Sequence, residues 1–86
     1  MAEVCRFYGI IIRFYYREHP PTHFHAIYAE HEALIEIETG HIYKGWLPRR
    51  ALDLVNTWRS IHLQELRANW ERASRDEAVL PIDPLD

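Results

Sequence analysis

The sequence contains little cysteine and little glycine: its 86 residues include one cysteine, one methionine and three glycines. The lone Cys5 excludes an intramolecular disulfide framework and a four-cysteine zinc site. No apolar run approaches the roughly 20 residues that a membrane helix needs. Glu3 and Arg6 also place charges where a signal peptide would be apolar. We therefore expect a soluble protein of the reducing cytoplasm, without membrane association.

Neither sign of charge dominates the chain, whose formal net charge is −3. Such a charge argues against binding nucleic acid over the whole surface, although a local basic patch is compatible with it. Hydrophobic residues make up 48% and aromatic residues 13% of the sequence, which is enough for a folded core. At this length we expect a single domain over residues 1–86, with a small core that favours a homodimer contact or a partner chain.

The first half of the chain has the composition and alternation of β-strands. The stretch IIIRFYY (residues 10–16) is rich in β-branched and aromatic residues. In residues 32–38, apolar and glutamate side chains largely alternate. Pro20 and Pro21 interrupt the extended pattern because proline donates no ladder hydrogen bond, and Thr39–Gly40 indicates a turn. The predicted strands cover about residues 4–8, 10–16, 23–29, 32–38 and 41–47.

The second half of the chain changes to a helical period. Pro48 suits a first helical turn, and from there to about Arg75 apolar residues recur every three or four positions. One helix of that length would be roughly 40 Å long, more than the width of so small a domain. It therefore either bends or breaks near Ser60, or projects to meet a partner. The predicted fold is α+β: an antiparallel sheet of about five strands, this long C-terminal helix, and an extended tail, VLPIDPLD.

The stretch REHPPTHFHA (residues 17–26) holds three of the six histidines beside two prolines. We assume that the strands on either side of it pair as a hairpin in the simplest register. The predicted pairs are Arg13 with Ile27, Tyr15 with His25, and Arg17 with His23. Because side chains alternate between the two faces of a strand, one face becomes apolar and the other carries a polar patch, with His19 above it in the turn. The patch consists of Arg13, Tyr15, Arg17, His23 and His25.

The first interpretation of this patch is phosphate chemistry. Guanidinium groups bind phosphate through paired hydrogen bonds, and tyrosine stacks on a base. Two histidines can act as general base and acid in RNA cleavage without a metal cofactor. The same side chains would suit a protein that only binds RNA, so the patch does not decide whether the protein is an enzyme. The candidate catalytic residues are His19, His23 and His25, and the candidate phosphate-binding residues are Arg13, Tyr15 and Arg17.

The second interpretation is a site for zinc or another divalent transition metal. Histidines two positions apart on a strand present both rings to one side, and a loop ligand completes an open coordination shell. Against this, Arg13 and Arg17 would lie on the same face as the cation, and repulsion between unit charges a few ångströms apart costs about 1 to 4 kcal/mol, depending on the local dielectric. The candidate metal ligands are Glu18, His19, His23 and His25.

Two further interpretations assign no chemistry to the histidines. In one, they are exposed strand residues beside a turn that the prolines stiffen. In the other, the protein is a non-catalytic adaptor, or the antitoxin-like member of a pair, and binds its partner through the helix that carries Trp58 and Trp70. Tryptophan is common both in protein cores and as an interface anchor.

The motifs CRFYGIIIRFYY, EHPPTHFHA, LPRRAL and NW together resemble a small bacterial family described as domain of unknown function 4160. The resemblance covers nearly the whole chain and is most specific over residues 19–25. The family commonly has aspartate at the position of Glu18 and proline at that of Thr22. Its genes often lie beside those of another small family, an arrangement similar to toxin–antitoxin pairs, which implies a cognate partner encoded nearby. We therefore favour a cytoplasmic member of such a two-protein system that binds or cleaves RNA through the polar patch.

Overall fold

The computed structural model describes residues 2–86, and its first half is a five-stranded antiparallel sheet. Each strand pairs with the next one along the chain, so the order in the sheet is the order in the sequence. Tight turns allow this: Tyr8 and Gly9, with φ of 49° and 79°, connect the first two strands. The strands are β1 (Ala2–Phe7), β2 (Ile10–Phe14), β3 (His23–Tyr28), β4 (His31–Glu36) and β5 (Ile42–Gly45). The predicted antiparallel sheet of about five strands is confirmed.

One face of the sheet forms the hydrophobic core. Along β2 and β3 the buried apolar side chains recur at every second position: Ile10, Ile12, Phe14, Phe24 and Ala26. Trp58 from the helical half packs on this face, with its ring centroid 5.4 Å from that of Phe7 and 6.0 Å from that of Phe24. Burying one large apolar side chain stabilises a fold by about 1.5–3 kcal/mol. The apolar face predicted from the alternation is therefore the core.

The helical half consists of two helices, α1 (Arg49–Ile61) and α2 (Leu63–Ser74). The prediction of one long helix is therefore wrong, and the break that was expected near Ser60 falls at His62, which has φ −113° and ψ 27°. A continuous helix over residues 49–74 would be about 39 Å long, whereas the longest dimension of the molecule is 33 Å. The break lets both helices bury side chains against the sheet. Across residues 2–86, neither helix combines the length and the apolar character of a membrane span.

The tryptophans of the two helices belong to the interior. Trp58 is fully buried and Trp70 is 8% exposed. The indole N–H of Trp58 donates to the backbone carbonyl of Asp83 at 2.8 Å. The exposed tryptophan is Trp46, which precedes α1 and packs edge-on against the ring of His31. The tryptophans of the two helices are therefore not available to a partner, and the adaptor interpretation, which also allowed exposed leucines of the helix, stays a prediction.

Residues 77–86 form an extended strap without helix or strand, as the sequence predicted. The N–H of Ile82 donates to the carbonyl of Val4 in the edge strand β1 at 2.9 Å. Asn69 of α2 bonds to Leu80 twice: its Nδ2 donates to the Leu80 carbonyl, and its Oδ1 accepts the Leu80 N–H, each at 2.9 Å. The strap thus covers part of an edge whose unpaired backbone groups could otherwise join another strand.

The single cysteine lies in the core. An irregularity between Glu3 and Cys5 in the pairing with β2 turns both Val4 and Cys5 toward the interior. Burial raises the pKa of the Cys5 thiol, so the thiol is neutral at neutral pH. Because the thiolate is the reactive form, Cys5 serves as a small core side chain.

Candidate metal centre

The face of the sheet opposite the core carries the histidines. In the observed register Arg13 pairs with His25, so the predicted pairing of Arg13 with Ile27 is wrong by two residues. The reason is that β2 ends at Phe14, and the connection to β3 spans residues 15–22, whereas the assumed register left only residues 18–22 between the strands. A shift of two residues preserves the face because side chains alternate with a period of two. The arginine and both histidines therefore still lie on one face.

The two other residues of the predicted patch, Tyr15 and Arg17, lie beyond the end of β2. The Tyr15 ring lies on the imidazole of His25, with centroids 4.2 Å apart and 31° between the planes. Arg17 turns away: its φ is 56°, its N–H donates to the carbonyl of Ala73, and its exposed guanidinium lies 3.9 Å from the carboxylate of Asp76. The predicted pairing of Arg17 with a histidine is wrong because the strand ends before it. The structure therefore brings Tyr15, but not Arg17, to the histidines.

Glu18 joins the two histidines. The loop of residues 15–22 places Oε1 of Glu18 2.8 Å from Nε2 of His25 and 3.0 Å from Nε2 of His23. The side chains of His23 and His25 are 1% and 8% exposed, whereas that of Glu18 is 27% exposed. His19 is exposed and lies outside this group. Of the four candidate metal ligands, Glu18, His23 and His25 come together and His19 does not.

The Nδ1 atoms of both imidazoles each have a hydrogen-bond acceptor. Nδ1–H of His23 donates to the carbonyl of Pro21 at 2.7 Å, and Nδ1–H of His25 donates to Oε2 of Glu32 at 2.8 Å. A carbonyl oxygen can only accept, so a proton of His23 lies on Nδ1. The half-exposed carboxylate of Glu32 accepts in the same way. Metal-ligating histidines typically make such a bond from the nitrogen that does not bind the metal.

If each ring carries only this Nδ1 proton, the Nε2 lone pairs of both rings are directed at one carboxylate oxygen. Electron-rich nitrogens repel an anion unless each ring takes a second proton or a cation lies between them. Second protons would create two positive rings with centroids 5.4 Å apart, which repel each other and are offset only by the carboxylates of Glu18 and Glu32. One divalent cation avoids that repulsion, because it attracts all three ligand atoms at once.

The spacing of the three ligand atoms also suits a metal. They all lie within 4.8 Å of one another, and no other such group of histidine, cysteine or acidic residues occurs within residues 2–86. Ligand atoms about 2.0–2.2 Å from a tetrahedral ion are about 3.4 Å from each other. Small side-chain adjustments would therefore bring Glu18, His23 and His25 to coordination distance.

Three neighbours of the histidines were not predicted from the sequence: Glu32, Tyr43 and Trp70. Strand alternation places Glu32 away from the apolar face, and the tight turn at residues 29–30 sets it diagonally across from His25. That turn length was the signal that could have predicted the contact. The ring of Trp70, 5.2 Å from that of His23, comes from a distant helix, and no local pattern indicates it.

The fold and the site define a two-layer α+β protein with a candidate centre of two histidines and one carboxylate on the outer face of its sheet. The chain belongs to the family described as Domain of unknown function (DUF4160), whose model matches residues 9–71. That range includes all three candidate ligands and ends before the C-terminal strap. No curated protein and no solved structure matches the chain. The resemblance noted from the motifs is thus confirmed, and the function must be argued from the site.

Proposed function

We propose that the protein binds one divalent transition-metal ion through Glu18, His23 and His25, and that this centre is its functional site. The observation that carries the proposal is the orientation of the two imidazoles. Each ring donates from Nδ1 to an oxygen and directs Nε2 at the same oxygen of Glu18. Two imidazole nitrogens and one carboxylate form the donor set of many zinc and iron(II) centres that keep positions open.

The charges around the centre favour a cation more than the sequence indicated. Arg17, one of the two arginines expected to repel a metal, lies beside Asp76 instead. Two carboxylates, those of Glu18 and Glu32, contact the histidines directly. Their two negative charges balance the charge of a divalent ion. The repulsion from Arg13 remains, at about 2 kcal/mol for a divalent ion at 4 Å in water and more at lower dielectric.

Such a centre would not be saturated by protein ligands. Three ligands leave at least one position of a tetrahedral ion for water or a substrate, which is the arrangement of catalytic zinc sites. Because both histidines are buried and Glu18 is partly exposed, the approach from solvent is on the side of the 15–22 loop. Zinc, iron(II) and neighbouring divalent metals all accept this donor set, so elemental analysis is needed to identify the metal.

Elemental analysis after dialysis tests the proposal. Wild-type protein loaded with zinc and dialysed should retain about one equivalent of metal. The double variant His23→Ala, His25→Ala should retain none, since two of three ligands are removed. The matched control is His19→Ala, which changes an exposed histidine of the same segment and should retain the metal. Full retention by the double variant would contradict the proposal.

Thermal unfolding provides a second readout that does not depend on dialysis. A ligand that binds only the folded state at 100 times its Kd stabilises that state by about 2.7 kcal/mol. Zinc should therefore raise the Tm of the wild type and of His19→Ala, and leave that of the double variant unchanged. Circular dichroism of the metal-free proteins checks that all three are folded.

RNA cleavage by His23 and His25 without a metal stays a prediction from the sequence. The geometry supports it less well, because Nε2 of each ring faces Glu18 and both rings are nearly inaccessible. A general base must reach the proton that it removes. Cleavage of RNA by the wild type in the presence of a chelator, lost in the double histidine variant, would favour this alternative over the metal centre.

The two-protein, toxin–antitoxin-like setting also stays a prediction, since it derives from the family resemblance. Co-expression with the protein encoded beside it, followed by size-exclusion chromatography, tests for a cognate complex. The same column run on the protein alone tests for the homodimer. Neither result changes the assignment of the metal ligands.

A further inference from the structure

We propose that the metal centre binds an oxyanion, a phosphate or a carboxylate group, and that Arg13 forms the second half of this anion site. The inference rests on the proposed metal function and adds the chemical class of the ligand. Arg13 pairs with His25 across β2 and β3, and directly opposite residues of neighbouring strands project on the same face. The guanidinium therefore lies on the face that carries the metal ligands.

Arg13 has no polar partner within the described chain. Its Nε atom is buried without a hydrogen-bond partner, and no ion pair within residues 2–86 includes it. Glu3, the residue opposite it on β1, attracts Arg13 at a distance but makes its hydrogen bonds with Arg6, which donates to both carboxylate oxygens at 2.9 and 3.0 Å. Arg13 as a whole is half-buried, but buried polar atoms such as its Nε are normally partnered. An unpartnered one beside a candidate metal centre points to a ligand.

The charges of the loaded centre also favour an anion. The carboxylates of Glu18 and Glu32 together offset a divalent cation. Arg13 and Arg6 share the single carboxylate of Glu3, so these two arginines leave one positive charge in excess, whereas Arg17 has Asp76 beside it. An anionic ligand would neutralise this excess, and it would turn the repulsion between Arg13 and the metal into two attractions to the same group.

An oxyanion fits both partners chemically. One of its oxygens can take an open position on the metal, while the planar guanidinium donates paired hydrogen bonds to phosphate or carboxylate oxygens. A neutral ligand would fill the coordination position and leave the guanidinium unpaired. In the proposed site, the metal ion and the guanidinium of Arg13 thus bind the same small anion.

Anion binding to the cobalt(II)-loaded protein tests this inference, because the visible absorption of cobalt(II) changes when a ligand enters its coordination shell. Inorganic phosphate and acetate are titrated separately into the wild type, Arg13→Gln and Arg49→Gln. Arg49 is the matched control, since it pairs with Asp53 within α1. We expect Arg13→Gln to bind the anion at least about tenfold more weakly, because charge-assisted hydrogen bonds are lost. The control should match the wild type, and cobalt affinity should not fall in either variant.

The outcomes separate the two proposals. If cobalt binds but neither anion changes the spectrum, or if Arg13→Gln binds the anion as tightly as the wild type, the oxyanion site is overturned and the metal centre stands. If the wild type binds no cobalt, both proposals fail. If Arg13→Gln does not fold, Arg13→Lys replaces it and should weaken binding less, since it keeps the charge and loses the planar fork. A response to acetate alone or phosphate alone supports the site and assigns the oxyanion class.

Discussion

The two faces of the sheet are built from the same strands and from opposite kinds of side chain. On the core face, β3 contributes Phe24 and Ala26, which are fully buried among apolar neighbours. On the outer face it contributes His23 and His25, which are nearly as buried but have a polar partner at each ring nitrogen. The side chains of β3 are therefore buried to a similar degree on both faces. On the core face their neighbours are apolar side chains, and on the outer face they are hydrogen-bond partners.

The difference indicates that the core face of the sheet supplies stability, whereas the outer face carries the candidate functional site. Apolar burial is favourable without regard to direction, so the core face needs side chains that fill the space but no particular hydrogen-bond partners. A buried polar group costs free energy unless its hydrogen bonds are made, so the outer face requires defined partners. Those partners, Glu18 and Glu32, come from a loop and from a neighbouring strand. The outer face is thus complete only when three segments of the chain meet.

The largest effect is expected from a truncation on the core face. Trp58→Ala should lower the free energy of unfolding by about 3–5 kcal/mol, because it leaves a large cavity between α1 and the sheet. Urea denaturation followed by circular dichroism measures the change. Trp46→Ala removes a tryptophan that is 57% exposed and should cost less than about 1 kcal/mol. Equal losses in the two variants would mean that the core does not depend on this face.

A smaller effect, on metal affinity and not on folding, is expected on the outer face. Glu32→Gln should weaken zinc binding about 10- to 100-fold, because the carboxylate that orients His25 is lost. Competition with a chromophoric chelator measures the affinity. The matched control is Glu36→Gln, which removes the same charge from the same strand at the position opposite His23. Equal weakening by both would show that charge, not the contact with His25, is responsible.

The smallest effect is expected at the turns that join neighbouring strands of the sheet. Ala29 has φ 53°, and Ala29→Gly should raise the free energy of unfolding by about 0.5–1 kcal/mol, because glycine adopts this conformation without strain. Gly9→Ala, at φ 79°, should lower it. Both turns lie where Ile10 pairs with Tyr28, the opposite end of the sheet from His23. Zinc affinity should not change in either variant, because Ala29→Gly keeps the turn conformation that places Glu32 and Gly9 lies in another turn. A change with Ala29→Gly would show that the contact between Glu32 and His25 depends on the alanine at this turn.

Much of the fold followed from local patterns because strand alternation and helical period need only neighbouring residues. They predicted the five strands, the apolar face and the start of the helical half at Pro48. They did not decide between a bend, a break near Ser60 and a projecting helix, because the position of the break at His62 depends on how the two helices pack on the sheet. The assumed hairpin register failed for a related reason: the point where β2 ends depends on how the following loop packs.

By itself, the sequence determined that Arg13, His23 and His25 lie on one face, because a period of two survives a register shift of two residues. Only the tertiary structure decided that Glu18 reaches both rings, that Glu32 contacts one of them, and that Arg17 leaves the group. Those contacts depend on the course of an eight-residue loop and on the pairing of a third strand. Side chains that are distant in sequence meet only where the packing of the whole chain brings them together.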